Sequence, residues 1–589
     1  MSDFKRIFDI IHYYRDEHAK PIMVAGRHGN SWKTFSTEEF IENMDFVSKG
    51  LLAKNINKGD RIGLMSGNRP EWNMIDFAVN QIGAAIVPLY PTLSTKDLGY
   101  IIKDSEIKVL FVSNSELLDK IEEAVSESGL EIVIFTIDEV QGQSSLKDLM
   151  QVGKENTSAD LKALNDAVEE DDLLTLIYTS GTTGTPKGVY LSHKNVISNV
   201  NASKHLLPDG YNKSISFLPL SHIFERMVVY LCFSKGVQIW YAENLDNIVA
   251  DINEVKPQFF TTVPRVLEKV YDKIVAKGKD LTGIKKALFF WALDLGHRYK
   301  EPKKNSAWYN LQLSIARKLI FSKWKEALGG KVGIIVSGGA ALQERLARVF
   351  WAADIRVLEG YGLTETSPVI SVNASDDDGV RFGTVGRVLE NLDVKIAKDG
   401  EIMVKGPSVT KGYYKNEEAT REVFDEDGYF HTGDIGELSD DHFLRITDRK
   451  KEMFKTAGGK YVAPQVLENK MMESPFIGQV MVIGEGRRFP SALIVPNFEE
   501  LEKWATFKGI SFNSREDLVK QQEVIEKYEQ INNTAMTKFG NWEKVKKLVL
   551  LAKEWTIDNG ELTPKLSLRR KVILDKSKKL IDEIYAGEE

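Results

Sequence analysis

The stretch Tyr178-Thr-Ser-Gly-Thr-Thr-Gly-Thr-Pro-Lys-Gly-Val-Tyr190 carries more information than any other in this chain. It follows Leu173-Leu-Thr-Leu-Ile-Tyr178, a short apolar run with the character of a buried strand, and leads into a further short strand and a helix near Ser192. Between them stand Gly181, Gly184 and Gly188, the hydroxyl residues Thr179, Ser180, Thr182 and Thr183, and one cation, Lys187. Glycines let backbone N–H groups approach oxygen atoms, hydroxyls donate further hydrogen bonds, and lysine supplies a point charge. The combination suits a polyphosphate. Lys187 follows Pro186 and precedes Gly188, so this is not the Gly-Lys-Ser/Thr of a Walker A loop. Gly/Ser/Thr clusters also occur in loops without a ligand; the lysine just beyond a buried strand favours the phosphate.

Working outward, 589 residues exceed what one compact core holds and predict two or more domains. Apolar content of 42% and charged content of 28% are those of a soluble globular protein. A net charge of −7 opposes a nucleic-acid partner, which would demand a basic face. The single cysteine, Cys232, lies in the apolar run Val228-Val-Tyr-Leu-Cys-Phe233 and reads as core packing. One cysteine allows no disulfide framework within the chain, and the N-terminal residues lack an apolar signal core. No apolar stretch reaches the roughly 20 residues a bilayer requires. The expectation is a cytoplasmic protein, with peripheral membrane contact and a homodimeric state both left open.

Strand-like and helix-like runs alternate on both sides of the loop. Arg61-Ile-Gly-Leu-Met65 precedes an amphipathic stretch over 72–81, Ala85-Ile-Val-Pro-Leu89 precedes 94–104, and Lys108-Val-Leu-Phe-Val112 precedes 115–126. The pattern resumes at 215–218, 237–241, 258–262 and 332–336. Such alternation predicts an α/β fold of mostly parallel sheets covered by helices, with ligands at the carboxyl ends of the strands. Residues 281–330 read as helical. Their aromatics Phe289, Phe290, Trp291, Trp308, Tyr309, Phe321 and Trp324 suit either core or a membrane- or acyl-facing surface. Residues 380–447 break into short strands and Asp-Gly turns, which suggests a small β-rich subdomain. The polar stretch Thr447-Asp-Arg-Lys-Lys451, placed after the last strand, marks a domain boundary. The predicted organisation is therefore 1–447, a hinge at 448–451, and a smaller α+β domain over 452–589 with a long charged helical insertion at about 498–545.

Five further segments carry chemistry. Ser337-Gly-Gly-Ala-Ala341 follows a strand, and the small residues Gly338, Gly339 and Ala340 leave a flat surface for an aromatic base; a tight strand-to-helix turn fits the residues equally well. In Glu359-Gly-Tyr-Gly-Leu-Thr-Glu-Thr366, flanked by Gly360 and Gly362, Tyr361 can stack on a base and Thr364 can bond a phosphate oxygen. Glu365 is a hard oxygen ligand suited to Mg2+, or else a helix cap. In Tyr429-Phe-His-Thr-Gly-Asp434 the Asp434 carboxylate offers two acceptors, matching the two hydroxyls of a ribose. The basic run from Asp448 to Ala463 contains Arg449, Lys451, Gly458 and Gly459. Leu218-Pro-Leu-Ser-His-Ile-Phe-Glu-Arg226 places His222 just after a strand, where orienting a carboxylate or phosphate suits it better than proton transfer, and a purely structural role remains open.

The loop, with these segments in this order, resembles the adenylate-forming superfamily of acyl-CoA synthetases, firefly-type luciferases and peptide-synthetase adenylation domains. The likeness runs along almost the whole chain and is closest to long-chain fatty acyl-CoA synthetases. It implies that 337–341 lines an adenine pocket, that Glu365 holds Mg2+, and that Asp434 binds ribose. It further implies that Arg449 reaches ribose or phosphate, that Lys451 is a hinge, and that 218–226 borders the acyl tunnel. The implied reaction joins a fatty acid to ATP, releasing pyrophosphate, and then passes the acyl group to coenzyme A. The family's C-terminal catalytic lysine is the point of departure: an ungapped match puts Ser567 there, leaving Lys565, then Arg569, as candidate cations. An acyl-AMP ligase that loads a carrier protein is the nearest rival, although no blocking insertion stands between Asp448 and Pro464. A non-catalytic binder of nucleotide or acyl-adenylate is the second.

Overall fold

The computed structural model describes residues 4–180, 185–244, 247–556, 559–563 and 568–586. It divides into two compact units. The first holds Met1–Lys395, Met403–His431 and Ser439–Leu444; the second holds Ile396–Ile402, Thr432–Leu438 and Arg445–Glu589.

Two sheets build the first unit. A six-stranded sheet runs in the order Val133–Thr136, Ile107–Val112, Arg61–Met65, Ala85–Leu89, Leu173–Ser180, Pro186–Ser192; its neighbours are parallel except for the last, antiparallel pair. A nine-stranded sheet runs Arg387–Val388, Val369–Val372, Arg356–Gly362, Ile334–Ser337, Phe259–Thr262, Lys213–Ser216, Gln238–Tyr241, Val24–His28, Ser31–Phe35. It is parallel from Arg356–Gly362 to Val24–His28 and antiparallel beyond. This is the α/β architecture expected from the alternation.

The period of two in the strands sorts their side chains between two cores. Ile62, Leu64 and Ile86 of the smaller sheet join Ile215, Ile239 and Ile335 of the larger one in a single apolar cluster. Their neighbours Met65, Val87 and Leu89 face the other way and pack with Leu98, Ile102, Leu118 and Ile121 of the helices Thr95–Ser105 and Ser115–Ser128. Every residue of the helix Pro70–Gln81 is buried, and so is nearly every residue of Ile223–Ser234, Cys232 among them. Among the polar side chains they bury, Asp76, Arg226 and Tyr230 form one bonded group. The Arg226 guanidinium and the Tyr230 hydroxyl donate to Asp76, and Arg226 Nη1 donates to Thr175 Oγ1 at 2.9 Å. Both members of the Asp76–Arg226 ion pair are 0% exposed, so the charge is sustained by these bonds and not by water.

The second unit has its own core. Ile477–Ile483 pairs antiparallel with Ser491–Pro496, which pairs parallel with Lys547–Leu550. Val480, Val482, Leu493, Val495, Leu501, Tyr528 and Ile573 cluster against them.

One local expectation changes, and two are given detail. The polar stretch at 447–451 does not follow the last strand, because Leu444–Arg449 runs through it: Thr447 Oγ1 donates to Ile435 O at 3.2 Å, and Asp448 is buried. The charged helical region near 498–545 consists of the pieces Phe498–Lys508, Arg515–Leu518, Gln522–Ala535 and Met536–Lys538. Gly509, at φ +73°, ends the first piece in the left-handed region that glycine favours. Of the aromatics in 281–330, Phe289, Phe321 and Trp324 are core, whereas Phe290 and Trp308 are exposed. Among the described residues no helix is long and apolar enough to cross a membrane.

Candidate functional site

The strands Leu173–Ser180 and Pro186–Ser192 form an antiparallel hairpin whose register sets Thr179 opposite Lys187 and Tyr178 opposite Gly188. Gly181, Thr182, Thr183 and Gly184 lie outside the described residues, as do Lys565 and Ser567. Gly188 has a packing reason of its own: a Cβ there would lie 3.0 Å from Tyr178 Cζ, and the Tyr178 hydroxyl donates to Asp104.

Lys187 does not stand alone. Its Nζ lies 5.2 Å from the ring centroid of Tyr413, within cation–π range. The Tyr413 hydroxyl donates to Glu365 Oε1 at 2.9 Å. One phenol thus links the cation of the hairpin to the carboxylate of the Glu359–Thr366 segment. Burial and the Glu365 carboxylate both push the Tyr413 hydroxyl above its ordinary pKa, so it stays a donor at neutral pH. The backbone fixes this arrangement. Tyr414 N donates to Gly188 O at 2.8 Å, Tyr190 N to Gly412 O at 3.1 Å, and Thr410 N to Glu365 O at 2.7 Å.

Glu365 sits in the 3-10 turn Thr364–Thr366, which packs against the strand Pro186–Ser192. The strand Arg356–Gly362 enters that turn, and Val369–Val372 leaves it antiparallel. The reversal is tight: a Cβ on Gly362 would lie 1.7 Å from Pro368 O, so only glycine fits. Thr364 and Glu365 are buried. A carboxylate offers about four lone-pair directions. With one taken by Tyr413, the Glu365 carboxylate retains hard oxygen acceptors, and the donor set fits Mg2+.

The larger sheet aligns a second row. Thr262 stands opposite Ser337, and Ser337 opposite Glu359, at the carboxyl ends of three parallel strands. Glu359 is buried, its Oε1 accepts from Leu342 N at 2.9 Å, and burial pushes its carboxyl up to about 8. Gly338 is buried beneath the ring of Phe224, whose Cζ would be 3.1 Å from an added Cβ; Gly339, at φ +81°, and Ala340 are exposed. Gly360 and Tyr361 are half-buried beside them. His222 caps the helix Ile223–Ser234: its Nδ1 accepts from Phe224 N at 3.1 Å, which leaves the neutral ring protonated on Nε2. Glu225, three residues on, is fully buried, accepts from Thr261, and is pushed by burial up to about 7.

In the second unit, Asp434 and Arg449 meet directly, with Nε 3.2 Å from Oδ1. Beside them Lys450 bridges Asp399 at 2.6 Å and Glu401 at 2.7 Å. Burial pushes Asp448 up to about 6. Lys451 is exposed. Gly458 and Gly459 form the turn between Phe454–Lys455 and Tyr461–Val462, with Gly459 at φ +73° and open space around it.

Two residues escaped the sequence reading. Tyr413 lies in Lys411-Gly-Tyr-Tyr414, far from the hairpin in sequence, and no local pattern marks it. Glu225 was visible within the 218–226 segment, but a carboxylate on an otherwise apolar helix start reads as exposed until the fold buries it.

Comparisons with known proteins identify the family. A family model described as "AMP-binding enzyme" matches residues 14–414, and one described as "AMP-binding enzyme C-terminal domain" matches residues 452–589. The chain is 33% identical to the long-chain-fatty-acid–CoA ligase FadD15 of Mycobacterium tuberculosis over 95% of its own length and 93% of that protein. It is 32% identical to the fatty acyl-CoA synthetase A of Dictyostelium discoideum, covering 96% and 88%. Among solved structures, the anthranilate CoA ligase AuaEII in complex with anthranoyl-AMP superposes with a TM-score of 0.74 at 17% identity, over 99% of both chains. The adenylation domain of a carboxylate reductase from Mycobacterium chelonae superposes with a TM-score of 0.76 at 22% identity, over 99% of this chain and 91% of that one. With the fold, the hairpin and both family matches in agreement, this chain belongs to the AMP-binding enzyme family of adenylate-forming enzymes.

Proposed function

We propose that the chain is an ATP-dependent long-chain fatty acid–CoA ligase that works in two steps. In the first, a carboxylate oxygen of the acid attacks the α-phosphorus of ATP; a P–O bond forms, the bond to the bridging oxygen breaks, and pyrophosphate leaves. In the second, the thiol of coenzyme A attacks the acyl carbon, its proton is lost, and AMP departs. The observation that supports this reading is the Lys187–Tyr413–Glu365 cluster in a chain whose relatives are named as long-chain-fatty-acid–CoA ligases.

Each residue has a task in this scheme. Lys187, Thr179 and the loop residues Ser180–Gly184 hold phosphate oxygens where negative charge develops. Glu365 would hold Mg2+, with Thr364 beside it, and the ion supplies positive charge against the phosphates when bound. Tyr413 orients that carboxylate. Gly338, Gly339, Ala340 and Glu359–Gly362 flank the base, with Tyr361 stacking on it. Asp434 receives the ribose hydroxyls, and its ion pair with Arg449 orients the carboxylate. His222 orients the reacting carboxylate through Nε2–H. A cation from the C-terminal segment, Lys565 ahead of Arg569, neutralises the α-phosphate. Between the steps the domain beyond 448–451 turns about Lys451, and Gly458 and Gly459 then let the thiol arm pass close to the backbone. We place this reaction in the cytoplasm.

The test is the order of products. ATP, Mg2+ and a long-chain acid should yield pyrophosphate, with AMP released only once coenzyme A is added; release of ADP would reject the scheme. Each methylene buried in the acyl tunnel contributes about 0.8 kcal/mol, so kcat/KM should rise with chain length until the tunnel is filled. Best activity on acetate would overturn the long-chain assignment.

A further inference from the structure

Residues 281–330 carry ten lysines and arginines against Asp294, Glu301 and Glu326, a local charge of +7 in a chain whose net charge is −7. The same segment exposes large apolar side chains. On the helix Ala307–Ala316 and the π turn Arg317–Phe321, Trp308 is 68% exposed, Leu311 54%, Ile315 46% and Leu319 47%. These positions advance by three, four and four residues, which at roughly 100° per residue keeps them within one narrow arc about 16 Å long. The stripe is not a fraying end: Leu313, Ala316, Phe321 and Trp324 anchor the opposite side in the core, and Arg317 Nε donates to Ala352 O at 2.8 Å. The helix Gly283–His297 packs on both segments and adds exposed Ile284 and Phe290.

The lysines follow the stripe. Lys318 adjoins Leu319, and Lys323 lies one turn beyond it. Some of the surrounding charge is already paired: Arg298 with Asp294 at 2.5 Å, Lys303 with Asp378 at 2.9 Å, Lys304 with Glu301 at 3.8 Å, and Lys325 with Asp354. Among the described residues no carboxylate pairs with Lys285, Lys300, Lys318 or Lys323.

We propose that this face docks on the surface of an anionic lipid bilayer. Trp308, Leu311, Ile315 and Leu319 enter the boundary between headgroups and acyl chains, and the flanking lysines meet the anionic headgroups. The combination selects this partner. A basic face with a narrow apolar stripe, ended by a tryptophan, matches the two layers of a membrane surface, polar outside and apolar beneath. A second copy of the chain would set Lys285, Lys300, Lys318 and Lys323, which no carboxylate pairs among the described residues, against the same four, and like charges across an interface oppose association.

Flotation of the full chain with vesicles tests this. Binding to phosphatidylcholine vesicles that contain phosphatidylglycerol is expected to exceed binding to phosphatidylcholine alone by about tenfold, and to weaken as added salt shortens the screening length. The double variant Trp308→Ser, Leu311→Ser should lose about tenfold in vesicle affinity with its melting temperature unchanged, since both side chains are exposed. Lys318→Glu with Lys323→Glu should remove the preference for the anionic lipid. Absence of binding to anionic vesicles, or equal binding by wild type and both variants, overturns the proposal. So does a stripe variant that turns a dimer into a monomer without altering flotation, which would assign the face to a second copy. The readout is vesicle binding alone, so it succeeds or fails independently of the acid-activation reading.

Discussion

The Tyr413 hydroxyl is the smallest unit on which the proposed chemistry turns, because it holds Glu365 while its ring faces Lys187. Tyr413→Phe keeps the ring and removes the bond. A hydrogen bond to a charged group contributes about 1.5–3 kcal/mol, so pyrophosphate release should fall roughly 10- to 100-fold in kcat/KM and require more Mg2+, with little change in melting temperature. An unchanged Mg2+ dependence would remove Tyr413 from the site. Glu359 gives a pH test. Its folded-state carboxyl is raised to about 8 from an ordinary 4.5, so the folded state holds the proton more tightly. The resulting stabilisation is complete below about pH 4.5 and is lost as pH rises towards 8. Glu359→Gln should flatten that part of the stability–pH curve; a parallel curve would show the carboxyl to be ionised when folded. Lys187, Glu365 and Asp434 could be named as candidates from sequence because a cation after a glycine loop and carboxylates after turns are local patterns. Tyr413 was not, since its meaning depends on a hairpin distant in sequence.

At the scale of elements, the helices Pro70–Gln81 and Ile223–Ser234 meet through the Asp76–Arg226 pair, and Arg226 reaches Thr175 on the strand that leads to the phosphate loop. Removing one member of a buried pair leaves the other uncompensated. Arg226→Met should therefore destabilise the protein by about 3–5 kcal/mol, read from the denaturant midpoint, and the double change with Asp76→Leu should recover part of that loss. A loss no greater for the single change than for the double would show the pair to be dispensable. The strands around this contact were plain in the sequence because short apolar runs buried on both faces have few other readings. The division of the helical region near 498–545 into pieces was less plain, because its breaks, at Gly509–Ser514 and again after Leu518, are short interruptions in a charged stretch. The strand to Arg449 was hidden for a related reason: Thr447 and Asp448 are polar, yet one is bonded to the backbone and the other is buried.

For the whole molecule, the separation into two units, the second containing Arg445–Glu589, matters because two reactions are assigned to one chain. If the turn about Lys451 separates them, Lys451→Pro should spare pyrophosphate release and depress thioester formation by tenfold or more; equal loss in both would refute a hinge there. Lys565→Ala and Arg569→Ala, assayed on the first step alone, decide which cation serves the α-phosphate. The α/β class was readable from the alternation of strands and helices, whereas the exposed stripe at 308–319 was not, since exposure is a property of the folded surface. Exchange of labelled pyrophosphate into ATP, measured with Mg2+ and a long-chain acid but no coenzyme A, tests the first step on which all else depends. Acid-dependent exchange that is lost in Lys187→Ala is the predicted result; no exchange with any acid, or exchange indifferent to Lys187, would contradict it.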